Sequence, residues 1–484
     1  MAREGEVQLG RFPAPQRIRM GGVMVIVAMV GLLSAVSLAA SQTNVLSLDT
    51  AIELALANHP SVGTAALSRL SKELAVDRRS AAYSPRLSTS LKPVSLTVRD
   101  REAEIKLADS LSFRGDLSSL HGWDFSIANR IQSGDIEKTG LSVEASLKLW
   151  PSPRYGADYL SLMEAKESVV IAAKQEADVQ ATVLVDIYRR YRLLQIDYER
   201  LAIQAEEYGA QVAAHNRVLD KAQQGLASPA EVLKAEQERA ESQATYERAL
   251  RDHQRELRAF LSDLSLDGDE WQLDQLPGRP MAFSLGLTPE QITSLVLERD
   301  TSVYEHKQAV LAARRKAEAV RADNGIQLTL AGNARFLEEN ASRPGFEAYI
   351  GLAYPLMDGG IRQLEVKEAE IAIQQAEEAL AAQQSKVCLE VEKKLSDLEW
   401  LEAQMHIAEI DQARVGLEQE AKQLQAANGL IPQAEAEASQ RSLMQARLDW
   451  FEAMVAYEAA RLELRALAGE SVDVEGGAPL EKAW

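Results

Sequence analysis

Two stretches of this chain, LSLDTAIELALANHPSV at 46–62 and LTPEQITSLVLERDTSV at 287–303, align with each other at a shift of 241 residues. Farther along the shift becomes 204, and Gly225-Leu226 then aligns with Gly429-Leu430. The difference between these two shifts, 241 and 204, means that the first half has 37 extra residues, between about Lys92 and Gly140. A repeat of roughly 200 residues is too long for a solenoid unit, so it predicts a duplicated half-molecule.

Composition restricts the possible functions. The formal net charge is −19, and no cluster of Lys and Arg is present. Because nucleic-acid binding depends on neutralising phosphates, we expect no nucleic acid as a partner. Cys388 is the single cysteine, so an intramolecular disulfide is impossible, and we interpret it as a small buried apolar residue.

The N-terminus resembles an export signal. Arg17 and Arg19 precede the apolar run 23–36, and small residues follow up to Ser41. We therefore expect residues 1–40 to be a cleaved signal peptide. A retained transmembrane anchor is the alternative, because residues 20–40 carry no charge.

Each half contains segments in which apolar and polar residues alternate. The clearest is 141–149, with apolar residues at its odd positions and polar residues at its even positions. The segments 86–98, 326–330 and 349–356 are the other predicted strands. Each half therefore predicts two strands of about ten residues, the length of a tilted strand that crosses a membrane.

A very long helix is predicted after each strand pair, over about 155–222 and 361–427, and each would be roughly 100 Å long. Both carry apolar stripes at heptad spacing. On the first helix the stripe is Ile187, Tyr191, Leu194, Tyr198, Leu201, Ala205, Tyr208 and Val212. On the second helix there are two stripes: Leu398, Leu401, Met405 and Ala408, and Ile407, Ile410, Leu417, Ala421 and Leu424. Two stripes on one helix require neighbours on both sides, as in a tube of helices, although a coiled-coil bundle also fits.

Each long helix is predicted to end at a turn, with Gly225 or Gly429 following its last residue. A second helix then runs to about Leu264 or Leu467, so each half contains a helical hairpin. The predicted segments are the signal peptide 1–40, the first repeat 41–264 (helix, two strands, hairpin), the connector 265–286, the second repeat 287–468 and the tail 469–484.

Four strands per chain cannot close a barrel, because about eight is the usual minimum. An open sheet in lipid would leave backbone groups without hydrogen-bond partners, so several copies are needed to complete the wall. Three copies would supply twelve strands. The predicted fold class is α+β and mainly α, with four strands per chain in an oligomeric barrel continued by a helical barrel.

At this point the chain resembles a known family, the TolC-type outer-membrane efflux factors. The resemblance covers about 45–470 and rests on three motifs: L-x-L-x-x-A-I-x-x-A-L-x-x-N-x-P at 46–60, YSPRL at 83–87 and PLMDGG at 355–360. The duplication and the two Gly-Leu turns add to it. The family's aromatic before Asp-Gly-Gly is Met357 here, and the second-half opening lacks the Asn-x-Pro element. The 37 extra residues are interpreted as a longer external loop or longer strands.

The resemblance implies a homotrimer with a twelve-stranded barrel in outer-membrane lipid and a large periplasmic helical barrel. It implies a passive, gated conduit for efflux or type I secretion that works with a periplasmic adaptor and an inner-membrane pump. Carboxylates beyond the tips would line the aperture: Glu435, Glu437 and Glu231. The tips would contact the adaptor through Gly225, Leu226, Ala227, Ser228, Gly429, Leu430, Ile431 and Pro432.

Two other readings of those residues are solvated helix positions for the carboxylates and a helix-end apolar contact for the tip leucines. For the whole chain, an exported surface coiled-coil protein, structural or adhesive, is the alternative. Scattered histidines without metal-ligand spacing predict no enzyme, no metal and no cofactor.

Overall fold

The fold is known from a computed structural model, which describes residues 44–99, 102–132, 140–266, 271–276, 288–336, 345–354 and 356–469. The predicted signal peptide, most of the connector and the tail beyond residue 469 lie outside these residues. The helices are α1 (Leu48–Asn58), α2 (Pro60–Ser80), α3 (Ala157–Gln223), α4 (Pro229–Asp263), α5 (Pro289–Arg299), α6 (Thr301–Asp323), α7 (Ile361–Ala427) and α8 (Gln433–Ala468). The strands are β1 (Asn44–Leu46), β2 (Arg86–Arg99), β3 (Glu102–Ser118), β4 (Trp123–Gln132), β5 (Gly140–Trp150), β6 (Trp271–Leu273), β7 (Gln327–Phe336) and β8 (Gly345–Ala353).

The chain divides into two compact units. The smaller includes, among the described residues, Asn44, Val45, Trp271 and Gln272, which belong to the two-stranded sheet β1–β6. The larger unit contains all the long helices and a second, antiparallel sheet.

The duplication is visible in the lengths of the helices. Helices α3 and α7 each have 67 residues, and a shift of 204 carries the bounds of α3 onto those of α7. Helices α1 and α5 have 11 residues each, and a shift of 241 relates their bounds. The predicted long helices and hairpins are therefore confirmed, and the fold is mainly helical.

The core of the larger unit lies where the long helices pack side by side. One cluster joins α3 to α8 through Ile196, Phe451 and Val455, all of which are buried. A second cluster contains Val296 of α5, Val391 of α7 and neighbouring residues of α6 and α8. These contacts bury part of the apolar stripes at heptad spacing, so burial rather than helix propensity fixes the pairing of the helices.

The expectation of four strands per chain is wrong. The sheet of the larger unit contains six described strands in the order β2-β3-β4-β5-β7-β8, all neighbours antiparallel. The interpretation of the extra residues as a longer loop or longer strands is also wrong, since they form the separate hairpin β3–β4. Sequence alternation at 111–117 and 123–127 is the physical reason: each half of the hairpin has its own apolar face.

The two second-half strands also differ from their predicted bounds. Strand β7 extends to Phe336 instead of ending at Leu330, and β8 begins at Gly345 and ends at Ala353 instead of spanning 349–356. The alternation continues through these added residues in weaker form, with small residues such as Gly332 and Ala334 on the apolar side.

Candidate membrane-facing sheet and hairpin tips

One face of the six-stranded sheet is mainly apolar, and its apolar residues extend from one edge strand to the other. Residues directly opposite each other on neighbouring antiparallel strands point to the same face, so the register assigns the faces. The apolar face carries Leu87, Leu91, Leu111, Phe113, Leu117, Trp123, Phe125, Ile127, Leu141, Val143, Leu147, Leu328, Leu330, Phe336, Phe346, Ile350 and Leu352. Many of these side chains are strongly exposed, for example Leu87 at 81% and Ile350 at 68%. An exposed apolar surface of this extent requires a partner or a lipid phase.

The opposite face is polar. It presents Arg114 and Asp116, whose side chains pair at 3.0 Å, and Asn333 and Glu347, whose amide and carboxylate hydrogen-bond at 3.0 Å. Ser90 and Ser112 add a cross-strand pair at 2.7 Å. Alternation of this kind, apolar on one side and polar on the other, is the pattern of a sheet placed between lipid and water.

Both outer strands of the sheet have one unpaired edge among the described residues. Strand β2 pairs only with β3, and β8 pairs only with β7. Because six antiparallel strands alternate in direction, β2 and β8 run in opposite directions. The β2 strand of a second copy could therefore continue the ladder antiparallel to β8, and repeated addition would close the sheet without leaving an edge.

A compact junction follows β8, at the PLMDGG motif. Gly359 and Gly360 have φ of +67° and +89°, a conformation that favours glycine. One oxygen of Asp358 accepts the N–H of Gly360 at 3.1 Å, and the other accepts Nε of Arg362 at 2.5 Å. The hydrogen bond from Arg362, together with the backbone N–H donors, lowers the pKa of Asp358 from 3.8 to about 2.

The same arginine connects this junction to the preceding helix. Arg362 donates to the carbonyl oxygen of Asn324 at 3.3 Å, and the Asn324 amide donates to the carbonyl oxygen of Arg362 at 3.4 Å. The end of α6 and the start of α7 are thereby held together at the base of the β7–β8 hairpin. This explains why an Asp-Gly-Gly sequence lies between a strand and a long helix, a role that the sequence alone did not reveal.

The two hairpin tips have the same backbone structure. Gly225 and Gly429 adopt φ of +74° and +71°. The N–H of Leu226 donates to the carbonyl oxygen of Lys221, and that of Leu430 to Gln425, both at 2.8 Å. This is a Schellman arrangement, and it confirms the prediction that each long helix ends at a turn with glycine after it.

The tip leucines are not covered within the described chain. Leu226 and Leu430 are each 73% exposed, so neither packs closely against its own helix end. The alternative reading, a C-terminal apolar contact that closes the helix, is therefore weakened. Two apolar side chains are thus exposed at equivalent turns.

The candidate aperture residues differ in their local partners. Glu231 belongs to a capping box: its carboxylate accepts the N–H of Ser228 at 2.6 Å, and this hydrogen bond lowers its pKa. Glu435 occupies the equivalent third position of α8, but residue 432 is a proline without an N–H. The capping interaction is thus impossible there. Glu435 and Glu437 are both exposed in the first turns of α8.

Of the two predicted apolar stripes on α7, one packs against the rest of the described chain and the other is exposed to solvent. Leu398 and Met405 pack against the two core clusters. The second stripe remains exposed: Ile407 at 57%, Ile410 at 56%, Leu417 at 70% and Leu424 at 66%. The sequence predicted neighbours on both sides of this helix, and only one side has a neighbour in the described chain.

Within the described ranges, no helix combines the length and the apolar character needed to cross a bilayer. The same residues contain no group of three or more His, Cys, Asp or Glu side chains arranged to hold a metal.

Residues 292–470 match the family model of the outer membrane efflux protein family. No curated protein matches the chain. Among solved structures, CusC, described as forming a transmembrane channel, superposes with a TM-score of 0.62 at 15% identity, covering 90% of this chain and 96% of that one. The chain has the fold of an outer-membrane efflux channel.

Two further outer-membrane proteins share this fold. The outer membrane protein VceC from Vibrio cholerae gives a TM-score of 0.59 at 14% identity, over 87% of this chain and 96% of that chain. The Campylobacter jejuni CmeC outer membrane channel gives a TM-score of 0.60 at 13% identity, covering 87% of this chain and 85% of that chain. The resemblance to the TolC-type factors is therefore confirmed. The family match lies in the second half, and the structural matches show that the fold extends over most of the chain.

Proposed function

We propose that this protein is the outer-membrane channel of a tripartite efflux or type I secretion system, a passive gated conduit from the periplasm to the exterior. The single observation that supports this most strongly is the one-sided sheet with two open edges. A sheet with an apolar outer face and a polar inner face suits a bilayer, and its edges can be satisfied only by further copies.

The proposed assembly is a homotrimer in the outer membrane, with a helical part in the periplasm. The open stripe on α7 supports it, because Leu417 and its neighbours need a helix from a second copy. Two long hairpins per chain would give twelve long helices in three copies, so a closed ring of helices is possible. Lipid would cover Ile127, Ile350 and the rest of the apolar face.

The assembly is tested by two measurements on the membrane fraction. We expect the protein in the outer membrane and a trimer on gels that resists dissociation until heated. A Leu417→Asn variant should lose the heat-resistant trimer, whereas Glu420→Gln on the same helix should keep it. A soluble monomer, or a surface protein that forms no pore in planar bilayers, would contradict the proposal and favour the surface coiled-coil alternative.

We further propose that the tips, residues 225–228 and 429–432, contact a periplasmic adaptor that couples the channel to an inner-membrane pump. Leu226 and Leu430 are the principal apolar contacts, since both are exposed. A Leu226→Asn, Leu430→Asn double variant should form normal trimers but no longer co-purify with the adaptor. If it still does, the tips are not the docking surface.

Glu435 is the best candidate for the aperture because no cap holds its carboxylate. Three copies around one axis would concentrate negative charge and favour cations. Glu435→Gln should therefore reduce the cation preference of the channel in bilayer recordings. Glu231→Gln is the matched variant at the equivalent position, and Glu437→Gln tests the neighbour. An unchanged reversal potential in Glu435→Gln would remove this assignment.

A further inference from the structure

The hairpin β3–β4 has no counterpart in the second half of the chain. A shift of 241 carries the start of β2, residue 86, to the start of β7, residue 327. A shift of 204 carries residues 141–149 of β5 onto the whole of β8, residues 345–353. Strands β2 and β5 are therefore equivalent to β7 and β8. Between β7 and β8 the sequence has only residues 337–344, whereas between β2 and β5 it has a complete pair of strands.

This extra hairpin lies inside the sheet and not at its edge. Strand β3 pairs with β2 from Arg86 to Arg99, and β4 pairs with β5 over residues 123–130 and 140–147. Strands β2 and β5, whose second-half equivalents pair directly, are thus held two strands apart. An external loop would leave β2 and β5 as neighbours, so the hairpin has been inserted into the wall.

The faces of the hairpin match those of the strands beside it. Phe113 and Phe125 lie on the apolar face, and Arg114 and Ser126 lie on the polar face. A hairpin that filled the lumen or covered the mouth would not need this alternation. The match indicates that β3 and β4 meet the same lipid and the same water as the other four strands.

The turn of the hairpin is fixed at the helical end of the sheet. Gly122 has φ of +82°, and a side chain there would collide with Pro153 in the short helical turn that leads to α3. Its carbonyl oxygen accepts the N–H of Lys148 at 2.7 Å. No long helix follows this turn, so each chain contributes six strands above four long helices in the described residues.

We propose that the hairpin widens the pore, so that three copies form an eighteen-stranded barrel in place of the twelve strands expected from the family. This inference rests on the proposed trimeric channel. Each new joint would be formed by β8 of one copy and β2 of the next, which the opposite directions of these strands allow. The outer end of the conduit would then admit larger solutes than a twelve-stranded barrel admits.

The size of the effect follows from strand geometry. Strands about 4.8 Å apart and tilted by about 40° each occupy about 6 Å of circumference. Twelve strands then give a backbone radius of about 12 Å, and eighteen give about 18 Å, an increase of about 6 Å. Because the number of long helices is unchanged, the periplasmic end should keep its width.

Polymer exclusion in planar bilayers tests this. Poly(ethylene glycol)s of graded size are added to one side of the channel, and the smallest excluded polymer gives the radius of that opening. The variant lacks residues 102–132, which leaves nine residues between β2 and β5, close to the eight between β7 and β8. We expect the deletion to lower the cut-off on the outer side by about 6 Å in radius and to leave the periplasmic cut-off unchanged. Equal outer cut-offs would overturn the inference.

Two measurements do not depend on folding of the deletion variant. Electron cryo-microscopy of the purified wild type should show eighteen strands, and twelve would overturn the proposal. In a Cys388→Ser background, Ser126→Cys should react with a water-soluble maleimide and Ile127→Cys only with a lipid-soluble one. Equal reaction of both with the water-soluble reagent would place the hairpin outside the wall. A protein that conducts normally but has twelve strands refutes this inference alone, whereas absence of any pore refutes the proposed function.

Discussion

A lysine placed at Ile127 tests the membrane contact most directly. Ile127 is the fifth of the ten residues of β4, about 15 Å along the strand from either end at 3.4 Å per residue. It is 40% exposed and lies opposite Val143 on β5 and Gly115 on β3. Near the middle of a bilayer a lysine on the lipid face costs about 2–4 kcal/mol. Three copies would raise the cost to about 6–12 kcal/mol per trimer.

The neighbouring residue supplies the matched control. Ser126 lies on the polar face, opposite Glu144 on β5 and Asp116 on β3. A lysine there faces two carboxylates, and an opposite-charge pair across strands stabilises by about 0.2–1 kcal/mol. The same substitution, one residue apart, should therefore destabilise at 127 and not at 126.

The assay is unfolding by urea of the protein reconstituted in lipid vesicles, followed by tryptophan fluorescence, with the heat-resistant trimer on gels as a second readout. Ile127→Lys should lower the midpoint strongly and reduce the trimer, whereas Ser126→Lys should resemble the wild type. If both variants are equally stable, the apolar face does not contact lipid, because exposed substitutions in water change stability by only about 0.5 kcal/mol.

Three further predictions concern stability. Gly429→Ala should destabilise the second hairpin by about 1 kcal/mol because φ is positive there. Gly209→Ala inside α3, where open space surrounds the glycine, should stabilise the protein by about 0.5–1 kcal/mol. Thermal unfolding of the two variants should therefore show a lower melting temperature for the first and a higher one for the second. Asp358 has a pKa lowered to about 2, so its contribution is complete above its ordinary pKa of 3.8 and is lost as the pH falls through 2; the stability difference between wild type and Asp358→Asn, measured by urea titration, should stay constant above about pH 4 and shrink below it. Tyr191→Phe removes a buried hydroxyl that donates to the carbonyl oxygen of Leu46 at 2.7 Å, and denaturant unfolding should show a loss of about 1–3 kcal/mol, with an unchanged midpoint counting against the bond.

The helical half of this architecture could be read from the sequence because its signals are local and repeated. The heptad stripes predict the long helices, and the glycine turns at 225 and 429 predict where these helices end. The hairpin β3–β4 was missed although Phe113, Phe125 and Ile127 alternate with polar residues on both sides of a Ser-Leu-His-Gly turn. Its residues were assigned to a longer external loop or to longer strands because the repeat arithmetic gave their number but not their pairing.

The hairpin tips, the candidate aperture residues and the Asp358 junction were only partly predictable, because some of their features depend on local sequence and others on long-range contacts. The left-handed glycines follow from a backbone requirement that sequence expresses directly. The difference between Glu231 and Glu435 depends on one preceding residue, Ser228 against Pro432, and this could have been recognised from capping rules. Arg362, which pairs with Asp358, also bonds Asn324, which lies 38 residues earlier in the chain, and such a long-range contact is not encoded in any local pattern.

The even number of strands has a consequence for how the protein reaches its final location. A chain that enters the sheet from α2 and leaves it into α3, or enters from α6 and leaves into α7, returns each time to the side from which it came. In the proposed channel, the parts of the described sheet that would have to traverse the lipid during insertion are the far ends of the strand pairs β2–β3, β4–β5 and β7–β8. Every helix could thus fold on its original side, and the work of biogenesis would be limited to moving the tips of three hairpins.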